Sequence, residues 1–386
     1  MSEHPDAALP PHVSSTRRLP LPSLTGSRII AALGVLLFHA SLGKMLNPYA
    51  DPATAGKFSF LVSKMGWVGV SYFFVLSGFI MVWSAREGDT ALAYYRRRVA
   101  KIYPVHAVTW ALAMLMGATS LVRSDIWLPN LLLVNSWIPR LEVFVSVNQP
   151  SWSLCVEMFF YLTFPLLFAA LACIRASRLV VLAASCFVAL AVTQVVIATA
   201  VPSSPVLAEW PLSERQWWLS YNFPPLRMFE FVAGMAVARI VIEGRWRGPG
   251  VAGACLMLLL GYVVALFLPF QLGLNLATLV PIMLLIPALA LADTRGRRTV
   301  LSARPMVWLG EISFGFYMIH FLVLLHIKDM LDGRRFDFMT GTALIALAGI
   351  VSVAGGWLLY RYVELPMTQM FGKQWPKFVR FQKAPD

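Results

Sequence analysis

"SRIIAALGVLLFHA", residues 27–40, is an apolar run with an arginine at its start and a histidine deep inside it. Such a run reads as a helix crossing a bilayer, because about 20 apolar residues at ~1.5 Å rise span the hydrocarbon core. Arg28 and His39 stand eleven residues apart. Eleven steps at ~100° overshoot three turns by about 20°, so both side chains project from one face. His39 is then ~16 Å deeper than Arg28, near mid-membrane. An ionisable group at that depth needs a partner or a task.

The rest of the chain has the same character. It has 386 residues, 58% hydrophobic and 13% charged, with mean hydropathy +0.69. A soluble protein carries about 25% charged residues, so a soluble fold is excluded. Continuous apolar runs also exclude a β-barrel, whose strands alternate. The fold class is an all-α polytopic membrane protein. Spans are expected at 27–46, 62–83, 99–119, 153–174, 179–200, 223–243, 249–269, 273–292, 306–326 and 340–361, about ten in all. Residues 120–152 and 201–222 are patchily apolar and are expected at an interface or folded over one face. Trp210, Trp217 and Trp218 read there as interfacial anchors.

Net charge is +13 and pI ≈ 9.9, yet the basic residues sit in short clusters between apolar runs and not on a nucleic-acid-binding surface. With both termini cytoplasmic, about two-thirds of all Lys and Arg fall on the inner side, as the positive-inside rule requires. Residues 1–26 read as a disordered cytoplasmic tail without a signal-peptide core. The membrane domain follows at 27–370, then a basic tail at 371–386. Cys155, Cys173, Cys186 and Cys255 lie in apolar segments and read as small buried hydrophobes. No spacing suggests a metal site, and none is expected.

Five further stretches carry polar groups. In "YYRRRVAKIYP" (94–104), Arg96, Arg97, Arg98 and Lys101 stand where a helix enters from the cytosol, and guanidinium forks suit phosphate. A plain positive-inside anchor is the structural alternative. "SWSLCVEMFFY" (151–161) places Glu157 roughly one to two turns from the outer surface, behind Trp152 and possible caps at Ser151 and Ser153. In "PPLRMFEFVAGM" (224–235), Arg227 and Glu230 are spaced to pair, and Gly234 permits close helix approach. "LGEISFGFYMIHF" (309–321) holds Tyr317 and His320 on one face. "YVELP" (362–366) ends the last helix with Glu364.

In this order, these motifs resemble the acyltransferase 3 family of integral membrane acyltransferases, from about residue 23 to 370. The carriers are the Arg28-to-His39 spacing, "GWVGVSYFFVLSGFIM" (66–81), "RRRVAKIYP" (96–104), "WSLCVE" (152–157) and the three later motifs. Lys101 departs from a common arginine, keeping the charge and losing the fork. The resemblance implies transfer of an acyl group, usually acetyl, from cytosolic acyl-CoA to a carbohydrate hydroxyl. Acceptors of such proteins include exopolysaccharide, O-antigen or a glycosylated small molecule, and the setting is a bacterial inner membrane. It resembles the stand-alone type, without an extracytoplasmic hydrolase-like domain.

Within that scheme, Arg28, Arg97, Arg98 and Lys101 are expected to hold acyl-CoA. His39 acts as general base, with Glu157 orienting it or the acceptor. Trp152, Arg227, Glu230, Tyr317 and His320 are expected on the acceptor side, and Tyr317 or Ser77 would serve the oxyanion. A covalent acyl-histidine is the other route. A polytopic transporter or flippase, or a non-catalytic partner in polysaccharide assembly, would share the helices. The transporter would more often show paired, broken half-helices.

Overall fold

In the computed structural model, residues 19–43, 46–85, 90–117, 123–208 and 210–372 are described, and all regular structure among them is helical. The expected tail at 1–18, most of 371–386 and Arg86 lie outside the described residues. The first helix, α1 (Pro22–Ser41), starts five residues before the expected boundary. Proline suits a first helical turn, where its missing N–H costs nothing. There the Ser23 N–H and hydroxyl both donate to the Asp293 carboxylate, at 2.8 and 2.5 Å. The far end stops at Ser41, whose carbonyl accepts from Asn47 Nδ2 (3.1 Å) and Ser59 Oγ (2.9 Å). His39 therefore lies in the last turn of α1 and not mid-span.

The chain then forms α2 (Pro52–Val62), α3 (Met65–Trp83) and α4 (Ala91–Leu115). Helix α4 begins eight residues before its expected span, capped by Thr90 Oγ1 accepting from Ala93 N–H at 3.2 Å. Next come α5 (Ser124–Leu131), α6 (Leu141–Phe144), α7 (Ser151–Ala172) and α8 (Leu179–Ala200). After these follow α9 (Glu214–Trp217), α10 (Pro224–Ile242), α11 (Val251–Phe267) and α12 (Leu276–Thr294). Helices α13 (Arg304–Met330), α14 (Phe338–Leu359) and α15 (Leu365–Gly372) complete the chain, the last two joined by a π-helical turn at Tyr360–Glu364. By length and composition, seven helical segments of the described chain can cross a membrane.

The 123–152 stretch is tied to α4 and α7 by hydrogen bonds. His106 Nε2 donates to the Asn130 carbonyl (3.0 Å), and Asn130 Nδ2 donates to the Ser146 carbonyl and Ser151 Oγ (both 2.8 Å). A surface quartet of Arg123, Asp125, Arg140 and Glu142 closes its outside. Hydrogen bonds from Arg123 and Arg140 hold the Asp125 carboxyl below the usual carboxylate range. Glu214 Oε1 accepts from Leu141 N–H at 2.6 Å and so ties this fold to the 201–222 excursion.

The cysteine expectation holds for Cys155 and Cys186, which are buried; Cys173 and Cys255 are exposed on the outside of their helices, and all four thiols are free. Helices α3 and α10 cross with their backbones in close contact. A Cβ on Gly78 would overlap the Phe231 carbonyl, and one on Gly234 would overlap the Val75 carbonyl. Small residues let two backbones touch in the absence of a hydrophobic driving force between helices. Gly234→Leu is therefore expected to lower the thermal midpoint in detergent, by the equivalent of at least ~1–3 kcal/mol of overpacking. Gly349→Ala, with open space around it, should leave the midpoint unchanged or raise it slightly.

Candidate functional site

Two cavities enter the bundle from opposite ends, and α1 lines both. The first, ≈ 300 Å³, takes Leu24, Thr25 and Arg28 from α1, Arg98 and Lys101 from α4, and Glu157 and Tyr161 from α7. We call it the basic cavity. The second, ≈ 250 Å³, takes Val35, Phe38 and His39 from the other end of α1. Its remaining wall is rich in aromatic residues, with Trp67, Trp152, Trp210, Trp217 and Tyr221. Val70 and Tyr317 line both cavities and so stand between them.

In the basic cavity, α7 supplies a stripe at helical spacing. Ser153, Glu157 and Tyr161 stand at i, i+4 and i+8, each ~6 Å further from the junction. Ser153 Oγ hydrogen-bonds Tyr317 Oη at 2.8 Å at the junction itself. Glu157 accepts from Tyr161 Oη (2.5 Å) and Ser77 Oγ (3.2 Å). Arg98 then lies over the Tyr161 and Tyr94 rings, at 5.7 and 5.9 Å. Three cations and one carboxylate thus share this cavity. Arg97, predicted with them, does not line it.

At the aromatic end, the partner of His39 is His320 on α13. His39 Nδ1 lies 2.9 Å from His320 Nε2. His320 Nδ1 lies 2.7 Å from the Tyr317 carbonyl oxygen. A carbonyl only accepts, so His320 Nδ1 carries the proton and its Nε2 offers a lone pair. His39 Nδ1 must then donate to it, which leaves Nε2 of His39 as the unprotonated nitrogen. The protons are assigned from this network. His39 Nε2 makes no hydrogen bond among the described residues. The chain Tyr317 C=O, His320, His39 fixes both the tautomer and the ring orientation of the His39 imidazole.

Glu157, expected as a partner for His39, bonds instead within the basic cavity. Helix geometry explains the difference. Glu157 is six residues into α7, while His39 faces α13 across the opposite end of α1. Arg227 and Glu230 pair at 2.9 Å with both side chains fully buried. Glu230 also accepts from Ser71 Oγ at 2.8 Å. Neither lines either of these two cavities; the Arg227 guanidinium instead lies over the Tyr221 and Phe74 rings, at 4.6 and 5.0 Å.

Trp67, Trp217 and Tyr221 were not singled out as site residues in the sequence. Trp217 and Trp210, read as interfacial anchors, turn inward to line the aromatic cavity. The Trp210 and Trp217 rings lie parallel within 3°, with centroids 5.2 Å apart. Trp67 meets Trp210, Trp217 and Tyr221 at steep angles, at 5.5, 5.2 and 4.6 Å. Tryptophan at a membrane interface and tryptophan in a cavity wall give the same sequence signal, and only packing separates them. Among the described residues no cluster of three or more His, Cys, Asp and Glu could hold a metal.

Comparison with known proteins adds to this geometry. The acyltransferase domain family matches residues 21–361. The chain is 38% identical to acyltransferase MdmB of Streptomyces mycarofaciens, over 92% of this chain and 94% of that protein. It is 24% identical to a putative peptidoglycan O-acetyltransferase, YrhL of Bacillus subtilis, over 91% of this chain and 55% of that protein. It is 29% identical to the exopolysaccharide production protein ExoZ of Rhizobium meliloti, over 66% and 76% respectively. No solved structure matches.

The buried Arg227–Glu230 pair makes a stability prediction. Arg227→Met alone leaves an uncompensated buried carboxylate, expected to cost ~3–5 kcal/mol. The double variant Arg227→Met/Glu230→Met should recover most of that loss in thermal unfolding. Equal loss in both variants would show that the pair's charge is not what matters.

Proposed function

Because this chain belongs to the acyltransferase domain family, we propose that it moves a short acyl group, acetyl above all, from cytosolic acyl-CoA to a carbohydrate hydroxyl. The proposed setting is a bacterial inner membrane, with about ten spans and both termini cytosolic. The spans are the seven long apolar segments together with α4, α10 and α11. This orientation puts the basic cavity on the cytosolic side and the aromatic cavity on the outer side.

The observation that carries this reading is a pair of cavities that share Val70 and Tyr317 as lining, one with three cations and the other with His39. Acyl-CoA has an anionic head and an uncharged pantetheine arm. Its phosphates are held by Arg28, Arg98 and Lys101, where charge-assisted hydrogen bonds are strong. Glu157, one turn closer to the junction than Tyr161, repels phosphate. It therefore sets how far the head can slide inward, a positioning role that replaces the orienting role expected for it. The arm continues past Ser153 and brings the thioester to Tyr317.

The acceptor hydroxyl enters from the aromatic cavity. Its proton passes to Nε2 of His39, and the oxygen forms a bond to the thioester carbonyl carbon. Tyr317 donates to the resulting oxyanion. The C–S bond breaks, and the thiolate takes the proton back from His39. His320 accepts from His39 Nδ1 throughout, so the imidazolium is stabilised as it forms, as a third group orients the base in other catalytic chains. Trp152 lines the acceptor wall, and Arg227 and Glu230 brace it by holding the ring of Tyr221.

Free CoA thiol, released from acetyl-CoA by membranes containing the protein and its acceptor, reads the reaction. His39→Ala is expected to reduce release by ~10²–10⁴-fold with the folded yield unchanged. Near-normal release would sink the mechanism. His320→Phe keeps the ring and loses the acceptor nitrogen, so kcat should fall about 10²-fold with KM for acetyl-CoA little changed. Arg98→Ala should do the converse, raising KM for acetyl-CoA about tenfold or more while kcat is largely kept.

A further inference from the structure

The aromatic cavity has a chemistry of its own. Its lining contains no Asp, Glu, Lys or Arg among the described residues, and His39 is the ionisable group at its base. The basic cavity, by contrast, holds Arg28, Arg98, Lys101 and Glu157. An anion seated at the aromatic end would lose its water and meet no cation, which is costly. Its volume, ≈ 250 Å³, falls just below the ~300–1,000 Å³ usual for drug-sized ligands. It suits one ring and not a chain of them.

The wall offers two kinds of contact. Trp67, Trp152, Trp210 and Trp217 supply flat apolar faces, and Trp210 and Trp217 are already aligned with each other. Three polar atoms of lining residues are buried without a hydrogen-bond partner: Trp67 Nε1, Tyr221 Oη and Asn222 Oδ1. Buried polar atoms are nearly always satisfied, so such a group in a cavity wall calls for a ligand atom or water. One is a donor, one an acceptor and one can be either. All three are neutral. This is the complement of a ring carrying several hydroxyls and one apolar face.

We propose that the aromatic cavity binds a single uncharged pyranoside ring, stacked on the Trp210–Trp217 wall and hydrogen-bonded to Trp67 Nε1, Tyr221 Oη and Asn222 Oδ1, and that it rejects uronic acids and sugar phosphates. This names the acceptor class and rests on the transferase reading above. One ring hydroxyl is left for His39 Nε2. A polymer or lipid-linked glycan can present only a terminal neutral unit here, with any acidic neighbour outside the rim formed by Leu141, Leu207 and Ala208.

The test is a binding measurement that does not depend on catalysis. Full-length His39→Ala protein in nanodiscs is probed by saturation-transfer NMR with the methyl glycosides of glucose, galactose and mannose. Each is compared with its methyl uronate. At least one neutral glycoside should bind, with strongest transfer to the C–H protons of one ring face, and its uronate should bind at least tenfold more weakly. Trp217→Ala should weaken the neutral ligand about tenfold or more. Trp210→Leu, at a half-buried position, should do the same if Trp217→Ala does not fold. Leu207→Arg should bring the uronate to within about threefold of the neutral sugar. Equal binding of the two ligand types, or binding untouched by both tryptophan variants, overturns the proposal. Failure of CoA release in the wild type would instead overturn the transferase reading, whatever these ligands do.

Discussion

A polar side chain on a membrane helix must find its partner inside the bundle, because the lipid offers none. That constraint organises this protein. Arg227 and Glu230 satisfy each other and Ser71. Asn130 closes the 120–152 excursion onto α7. His39 turns to His320, and His320 to the Tyr317 carbonyl. Each of these bonds joins elements far apart in sequence or holds one of them in a fixed pose. The same need for partners that stabilises the bundle also presets the tautomer of its candidate base.

Helix α1 gives this arrangement its axis. Its two ends line two cavities of opposite chemistry, one cationic and one aromatic and neutral. With about 16 Å of helix between Arg28 and His39, a ligand with a charged head and a long neutral arm fits the first cavity far better than the second. The close contact of α3 and α10 through Gly78 and Gly234 places Val70 and Ser71 against the elements that carry Tyr221 and Arg227. The wall between the cavities is therefore framed by a crossing that leaves little room to adjust.

Much of this was legible beforehand. Hydropathy located the helices because twenty-residue apolar runs have few other uses, and 179–200 matches α8 residue for residue. Boundaries were less legible where capping decided them. Pro22, Ser23 and Asp293 pull the start of α1 back by five residues, and the carbonyl of Ser41 is closed off by Asn47 and Ser59. As a result, His39 sits a turn from the helix end, where a cavity can reach it. Arg28, Arg98 and Lys101 could be grouped by charge, but charge also drew in Arg97, which does not line that cavity. Glu157 was misplaced because a carboxylate is drawn to the nearest donors in the fold, and sequence distance says nothing about which those are.

The sequence by itself determined that this chain is helical, lives in a bilayer and carries an arginine and a histidine toward opposite ends of one helix. Those properties follow from local composition and from the 3.6-residue repeat, which are written along the chain. Tertiary structure alone decided that His320 is the partner of His39, that Trp210 and Trp217 face inward, and that two cavities share Val70 and Tyr317 in their walls. Each of these depends on which helices touch. In a membrane, where apolar faces are nearly interchangeable, that choice rests on small residues and on a few long-range hydrogen bonds.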